Sequence, residues 1–305
     1  MPQKPQKNKK EKTVSLVLGS GGARGLAHIG VIRWLEENNY KITSISGCSM
    51  GALVGGIYAL GKLGDYEKWV LAVTKRDIFS LLDFSLQMDG LSKGDKIIDT
   101  LKNMVGDAAI EDLPIPYTAV ATNLENGKEV WMTRGSLFNA IRASISIPLL
   151  FTPYKFEGAY LIDGGIANPV PIAPTSSYIS DLTIAVNASG DVSRNHKIDE
   201  EIPEKKKPSS TLEEKISAYI EDIKERASSY VSMDMGMFDI ANQAIDAMQS
   251  TIARQKLAAY PPDITIEIPR NVCTVMEFDR AHELIELGYC LTRKSMEQLD
   301  YHNPC

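Results

Sequence analysis

Ser49 lies between two glycines in Gly47-Cys48-Ser49-Met50-Gly51, which has the residue types and spacing of a nucleophile elbow. In such an elbow a strand turns sharply into a helix, and the turn presents the serine hydroxyl to a substrate carbonyl. Gly47 and Gly51 are expected there because side chains at both positions would clash with the strand or the helix. Residues 42–46 alternate like a half-buried strand, and residues 52–60 read as a buried helix. The flanking segments therefore predict the strand, turn and helix that this chemistry requires.

A glycine-rich segment, residues 19–25, follows the apolar strand predicted at 14–18 and opens a helix predicted at 26–38. Glycines let backbone N–H groups approach an anion closely, and a helix N-terminus adds positive potential. Such a segment can form an oxyanion hole for a serine nucleophile, and it can equally bind a phosphate. The phosphate alternative lacks its usual partners, because Leu26 stands where a P-loop needs Gly-Lys-Ser/Thr. A dinucleotide site would need a glycine in place of Ser20 and an acidic residue after the second strand.

The base that would activate Ser49 is an aspartate. Asp163 ends the apolar run 160–162 and precedes Gly164 and Gly165, so its carboxylate is predicted on a tight turn at a strand end. The alternative is an aspartate that only caps its own turn. We favour the functional interpretation, because none of the four histidines has a catalytic setting; they are His28, predicted to be structural, and His196, His282 and His302.

Strands alternating with helices predict an α/β fold with a mainly parallel sheet covered on both faces. Further strands are predicted at 117–123, 129–133, 182–187 and 264–268, and helices within 211–258 and at 278–299. Residues 80–95 are irregular and apolar, which suits either a lid over a site or a packed connection. Residues 191–210 are polar and predict an exposed loop.

The chain has 305 residues, of which 44% are hydrophobic and 24% charged, and a net charge of -6. The negative charge argues against nucleic-acid binding, and the four cysteines contain no C-x-x-C pair that would suggest zinc or a disulfide frame. Residues 1–12 are rich in lysine and lack the apolar core of a secretory signal. They predict a disordered tail, which either only solubilises the chain or is weakly attracted to anionic lipid. The uncharged stretch between Lys41 and Lys62 contains the elbow, which favours a soluble strand and helix over a membrane span.

The glycine loop, the G-x-S-x-G motif and the D-G-G motif, in this order, resemble the patatin-like phospholipase family in its bacterial form. The segments LGSGGARGLAHIGVIRWLEE, DGGIANPVP and PPDITIEIP resemble it too, and the resemblance extends from residue 13 to about 295. It implies a three-layer α/β/α fold and a single catalytic domain at 13–305. It also implies a Ser-Asp dyad of Ser49 and Asp163. The other implied site residues are Gly21 and Gly22, whose amides form the oxyanion hole, and Arg24 and Gly25, which organise that loop.

Two residues depart from the family pattern: Ser20 stands where many members have glycine, and Cys48 where threonine is frequent. Neither change removes a catalytic group. The resemblance implies hydrolysis of acyl esters in phospholipids or lysophospholipids, with no cofactor or metal and with peripheral contact to a membrane surface. The alternative is a catalytically silent member with a regulatory role. A cytoplasmic location is the default expectation, with secretion that needs no signal as the other route known among bacterial members.

Overall fold

The computed structural model describes residues 11–82, 93–191 and 237–302. The strands are β1 Lys12–Leu18, β2 Tyr40–Cys48, β3 Tyr117–Asn123, β4 Glu129–Met132, β5 Tyr154–Phe156, β6 Ala159–Asp163, β7 Leu182–Gly190 and β8 Ile264–Pro269. The α-helices are α1 Ala27–Glu37, α2 Met50–Ala59, α3 Leu63–Ala72, α4 Lys75–Leu82, α5 Asp95–Val105, α6 Leu137–Ser144, α7 Met237–Ala259 and α8 Ala281–His302. Short 3-10 helices include Gly22–Leu26 and Gly164–Ile166.

The described strands form one mixed sheet in the order β5-β6-β3-β2-β1-β7-β8, with β4 also paired to β3. The pairings from β3 through β2, β1 and β7 to β8 are parallel, whereas β4, β5 and β6 pair antiparallel. The three-layer α/β/α fold expected from the sequence is therefore confirmed. The antiparallel edge was not predicted as such, because β5 has only three residues and shows no readable alternation.

Each face of the sheet has its own apolar core. Val14, Leu16 and Leu18 of β1 belong to the large core that also holds the buried residues of α1, α2, α6 and α8. Val17 points the other way and packs with Ala253 of α7. Because β1 is covered on both faces, its residues 14–18 are apolar on both faces except at Ser15.

The pairing of β3 determines which strand ends lie together. Val120 is opposite Cys48 of β2 on one edge of β3, while β4 pairs along the other edge at the same residues. One residue further, Ala121 is opposite Asp163 of β6, and β4 still occupies the other edge. Strand β6 therefore pairs with the same edge of β3 as β2 does, and it begins to pair where β2 ends. Asp163 consequently lies directly beyond the C-terminal end of β2, where Ser49 begins the turn.

Several sequence predictions fall partly or wholly outside the described residues. These are residues 1–10 of the tail predicted at 1–12, most of the polar loop (192–210), residues 211–236 of the predicted helical part, and residues 83–92 of the 80–95 stretch. Lys12, the last residue of the predicted tail, is instead the first residue of β1. Within that stretch, residues 80–82 belong to the end of α4, so its described beginning is helical and not irregular. The uncharged stretch between Lys41 and Lys62 forms β2 and α2, and no helix among the described residues is long and apolar enough to cross a membrane.

Helices α1 and α8 cross at two glycines, which let their backbones touch. A Cβ added to Gly30 would lie 1.8 Å from the carbonyl oxygen of Ile285, and one added to Gly288 would lie 2.0 Å from that of Ala27. Both distances are far below a van der Waals contact, so any larger side chain must push the helices apart. The crossing matters for the site because the glycine loop leads directly into α1.

We expect Gly30→Ala to lower the free energy of unfolding by about 2–3 kcal/mol, the usual cost of overpacking a rigid contact. The matched control is Gly64→Ala in α3, where an added Cβ meets nothing within 4 Å. There, alanine should leave stability unchanged or raise it by up to about 1 kcal/mol through helix propensity. Urea unfolding of both variants measures this, and equal stability of the two would contradict the tight crossing.

Candidate active site

Ser49 adopts the strained backbone of an elbow. Its φ of 54° and ψ of −127° lie in a region that a residue with a side chain rarely occupies, and α2 begins at the next residue. The two glycines of the motif are required by contact. A Cβ on Gly47 would lie 2.5 Å from the backbone of Gly51, and one on Gly51 would lie 2.0 Å from the carbonyl oxygen of Leu18. The turn can therefore form only with the glycines predicted from the sequence.

The backbone of Ser49 is also held from a distance by Ser144, a residue that the sequence reasoning missed. The amide of Ser49 donates to Oγ of Ser144 over 2.9 Å, and that hydroxyl donates to the carbonyl oxygen of Val120 over 2.6 Å. Ser144 therefore ties the strained turn to β3, the strand that also pairs with Asp163 of β6. Ser144 is fully buried at the end of α6, and no sequence motif marks it.

Asp163 meets Ser49 in a buried setting, with an exposed fraction of 2%. Oδ1 of Asp163 accepts from the amide of Gly165 over 2.7 Å, which closes the predicted turn. Oδ2 of Asp163 and Oγ of Ser49 both lack a hydrogen bond that meets standard geometry. The hydroxyl is nevertheless near enough to lower the pKa of the carboxyl.

Two effects oppose each other at the Asp163 carboxyl. Burial raises its pKa, and the nearby hydroxyl of Ser49 and the hydrogen bond from the Gly165 amide lower it, with a net rise from 3.8 to about 6. Burial acts because a carboxylate loses the water that would stabilise its charge. A value near 6 lies much closer to neutral pH than that of an ordinary aspartate, so Asp163 is better suited to exchange a proton with an alcohol.

The glycine loop presents two amides without acceptors. Around them, the amides of Gly19, Ser20, Ala23 and Arg24 all donate to backbone carbonyl oxygens. Among the described residues, no acceptor receives the amides of Gly21 and Gly22. Gly22 has a φ of +54°, and an added Cβ there would lie 2.5 Å from the Val275 side chain, so glycine is needed for both conformation and space. Gly22 and Ser49 line the same two pockets, which puts this loop beside the hydroxyl.

Arg24 holds the glycine loop through a buried ion pair. Its side chain is almost fully buried, and its two terminal nitrogens donate to the Asp246 carboxylate of α7 over 3.1 and 2.9 Å. Nη1 also donates to the carbonyl oxygen of Arg270 over 2.8 Å. The loop-organising role expected for Arg24 agrees with these contacts. Gly25 packs against Met50, because an added Cβ would lie 2.4 Å from the Cβ of Met50.

Gly164 and Gly165 fit the Asp163 turn into a narrow space. A Cβ on Gly164 would lie 2.0 Å from the carbonyl oxygen of Val120, so the turn packs directly on β3. A Cβ on Gly165 would lie 2.5 Å from Oγ of Ser20 and 2.8 Å from Nε2 of Gln249. The second glycine thus lets the turn pack closely between the glycine loop and α7.

No histidine takes part in this arrangement among the described residues. His28 is fully buried, and its Nε2 lies 2.9 Å from the carbonyl oxygen of Gly19. Burial lowers the pKa of His28 to about 4, so the ring is neutral at pH 7 and serves structure, as predicted. His282 is exposed on α8. Within the described parts of the chain, no three His, Cys, Asp or Glu side chains group in a way that could hold a metal ion.

Two pockets of opposite character meet at Ser49. The first is apolar and has a volume of about 70 Å³; its lining includes Leu53, Trp69, Leu81, Leu101 and Phe151. The second is polar and has a volume of about 30 Å³; its lining includes Ser20, Arg24, Asn242 and Gln249. Ser49 lines both pockets, and Asp163 lines only the polar one. The arrangement can therefore receive an apolar chain on one side of the hydroxyl and a polar group on the other.

The apolar pocket is shaped by Arg142, which the sequence reasoning also missed. The guanidinium donates to Oγ of Ser146 over 2.7 Å and to the carbonyl oxygens of Lys93 and Thr152. It also lies 5.6 Å from the ring centre of Phe151. Arg142 thereby fixes both ends of the segment 146–152, which contributes one wall of the pocket.

The raised pKa of Asp163 means that its carboxylate lowers the stability of the folded protein at neutral pH. Folding favours the protonated form, so the free energy of unfolding falls as pH rises from about 4 to about 6 and remains reduced at pH 7. We expect Asp163→Asn, which keeps an acceptor for Gly165, to raise the free energy of unfolding at pH 7 by about 1–3 kcal/mol. The matched control is the exposed Asp99→Asn on α5, which should change stability by less than about 0.5 kcal/mol. Denaturant unfolding measures the free energy of unfolding of both variants. A destabilised Asp163→Asn protein would contradict the conclusion that the buried carboxylate lowers stability.

Comparison with known proteins relates the whole chain to one family. The family model for patatin-like phospholipases matches residues 16–175. An uncharacterized NTE family protein of Mycobacterium tuberculosis is 39% identical over 331 aligned positions, covering 94% of this chain and 92% of that protein. A lysophospholipase of Neurospora crassa is 33% identical over 181 positions, covering 58% of this chain but 12% of that protein. The crystal structure of VipD from Legionella pneumophila covers 95% of this chain and 67% of its own, at 16% identity and a TM-score of 0.47. By the family match and the near full-length relative, the chain belongs to the patatin-like phospholipase family.

Proposed function

We propose that the protein is a serine acyl hydrolase that cleaves fatty-acyl esters of lipids, of the phospholipase A or lysophospholipase type. The observation that carries the proposal is the presence of two buried oxygens, Oγ of Ser49 and Oδ2 of Asp163, that have no hydrogen-bond partner among the described residues and lie at the junction of an apolar and a polar pocket. The family includes proteins named as lysophospholipases, which supports an ester of a lipid as the substrate class.

The two pockets assign the two halves of the ester. Asp163 must return a proton to the leaving alcohol, so the alcohol occupies the polar pocket that Asp163 lines. The acyl chain then occupies the apolar pocket, whose lining is almost entirely hydrocarbon. Burial of each methylene there is worth about 0.8 kcal/mol, which favours long acyl chains over short ones.

The reaction proceeds in two steps. Oγ of Ser49 attacks the ester carbonyl carbon while Asp163 takes the hydroxyl proton, and the amides of Gly21 and Gly22 donate to the oxygen that becomes negative. Each such donor is worth about 3–4 kcal/mol. The tetrahedral intermediate collapses, the bond to the leaving oxygen breaks, and Asp163 protonates the alcohol. Water then attacks the acyl-serine with Asp163 again as base, and the fatty acid leaves.

Replacing the nucleophile tests the proposal directly. We expect Ser49→Ala to lower hydrolysis of a long-chain fatty-acyl ester by at least about 10⁴-fold, because no other group can form the acyl-enzyme. His282→Ala should retain nearly full activity, since that side chain is exposed on α8 away from the pockets. Lipid mass spectrometry after incubation with a mixed phospholipid extract provides the measurement. Turnover retained by folded Ser49→Ala protein would refute the assignment.

Covalent labelling distinguishes the proposed enzyme from the alternative, a catalytically silent protein with a regulatory role. An activated Ser49 should react with a fluorophosphonate, and the label should be absent from Ser49→Ala protein. A folded wild-type protein that resists the reagent would favour the silent alternative instead.

The pH dependence follows from the raised pKa of Asp163. Because only the ionised carboxylate accepts the proton of Ser49, we expect kcat/KM to fall about tenfold per pH unit below about pH 6 and to level off above it. A profile recorded on a soluble ester, with folding followed at each pH, measures this. Activity that stays constant down to pH 4.5 in folded protein would exclude Asp163 as the base.

A further inference from the structure

One wall of the polar pocket comes from α7, outside the residues that match the family model. Asn242, Asp246 and Gln249 lie at spacings of four and three residues, so they share one face of the helix, and all three line the pocket. Family membership assigns no role to them. Their chemistry nevertheless decides which leaving group the pocket can accept.

The pocket contains no cation that is free to receive a phosphate, as far as the described residues go. Arg24 is the one positively charged side chain in its described lining, and its exposed fraction is 1%. Both terminal nitrogens of Arg24 are already engaged by Asp246 and the carbonyl oxygen of Arg270, and its Nε, which has no hydrogen-bond partner among the described residues, is fully buried. The remaining charged groups are the carboxylates of Asp246 and Asp163. Because Asp246 is neutralised by its ion pair with Arg24, a phosphate in this pocket would meet the carboxylate of Asp163, which has no counterion among the described residues, and electrostatic complementarity disfavours that.

Gln249 instead offers the pocket an unused carboxamide. Its exposed fraction is 7%, and no hydrogen bond joins it to another described residue. Its Nε2 lies beside the Asp163 turn, 2.8 Å from where a Cβ on Gly165 would stand. A carboxamide both donates and accepts, which suits an alcohol hydroxyl, and a buried polar group of this kind is stabilised when it finds a partner. Asn242 repeats the same chemistry on the same helix face, in a half-exposed position.

From these contacts we infer that the polar pocket binds an uncharged, hydroxyl-bearing leaving group of the glycerol type through Gln249 and Asn242, and keeps phosphate out. The inference rests on the proposed acyl hydrolase function. It narrows that function, since a phospholipid could be cleaved only with its phosphate outside the pocket. An acylglycerol with free hydroxyls fits the pocket best.

Three esters of lauric acid separate the possibilities: monolauroylglycerol, lauroyl lysophosphatidic acid and methyl laurate, each at the same mole fraction in uncharged detergent micelles. We expect wild-type protein to show a kcat/KM for monolauroylglycerol about tenfold or more above that for the lysophosphatidic acid. Gln249→Ala should lower the ratio of kcat/KM for monolauroylglycerol to that for methyl laurate about fivefold, the effect of one lost hydrogen bond. Gln249→Lys, which adds a cation, should shift preference towards the lysophosphatidic acid.

The matched control is Gln255→Ala, an exposed glutamine on the same helix, which should keep the wild-type ratios. Equal or faster cleavage of lysophosphatidic acid by wild-type protein would overturn the inference. So would a Gln249→Ala protein whose ratios match those of wild type. If Gln249→Ala fails to fold, Asn242→Ala and the wild-type comparison still decide. Methyl laurate tests the proposed function separately because it carries no polar headgroup. If none of the three esters is hydrolysed both proposals fail, and if methyl laurate is hydrolysed only the inference is at stake.

Discussion

The candidate site depends on two strand pairings at adjacent residues of β3. Val120 pairs with the last residue of β2, and Ala121 pairs with the last residue of β6. Because these are backbone pairings inside a sheet, the relative position of Ser49 and Asp163 is held by hydrogen bonds and not by flexible loops. The contact of Gly164 with the Val120 carbonyl and the link from Ser49 through Ser144 reach the same carbonyl group. One peptide unit of β3 thus supports both halves of the candidate dyad.

Three features of this site lower the stability of the folded protein. Ser49 has a backbone conformation that costs of order 1–3 kcal/mol. In the part of the chain that the structure describes, the buried Asp163 carboxyl has no cation beside it, and two polar oxygens lack hydrogen-bond partners. The surrounding sheet and the buried Arg24–Asp246 pair hold these features in place. Unfavourable groups concentrated at one point of an otherwise well-packed core are typical of a site that is stabilised only when its ligand arrives.

The sequence predicted those parts of the site whose signal is local. Ser49, Asp163 and their flanking glycines could be found because a tight turn forces small residues to stand next to the reactive one. Ser144 and Asp246 could not be found in the same way, since they act across 95 and 222 positions of the chain. Only the fold brings them near, and a serine or an aspartate within a helix carries no mark of its partner. The antiparallel edge was missed for a similar reason, because β5 is too short to show a period.

The position of Ser49 between two pockets has a consequence for the lifetime of the acyl-enzyme. In the proposed reaction, once the alcohol has left, the acyl chain would still fill the apolar pocket, while the polar pocket beside Asp163 would be free for another molecule. Water must enter by that side, and so must any other molecule that attacks the acyl-serine. A second alcohol that fits the vacated space would compete with water for the acyl group. In the proposed reaction the same architecture therefore permits transfer of a fatty acid from one alcohol to another, with the balance set by which acceptor the polar pocket holds.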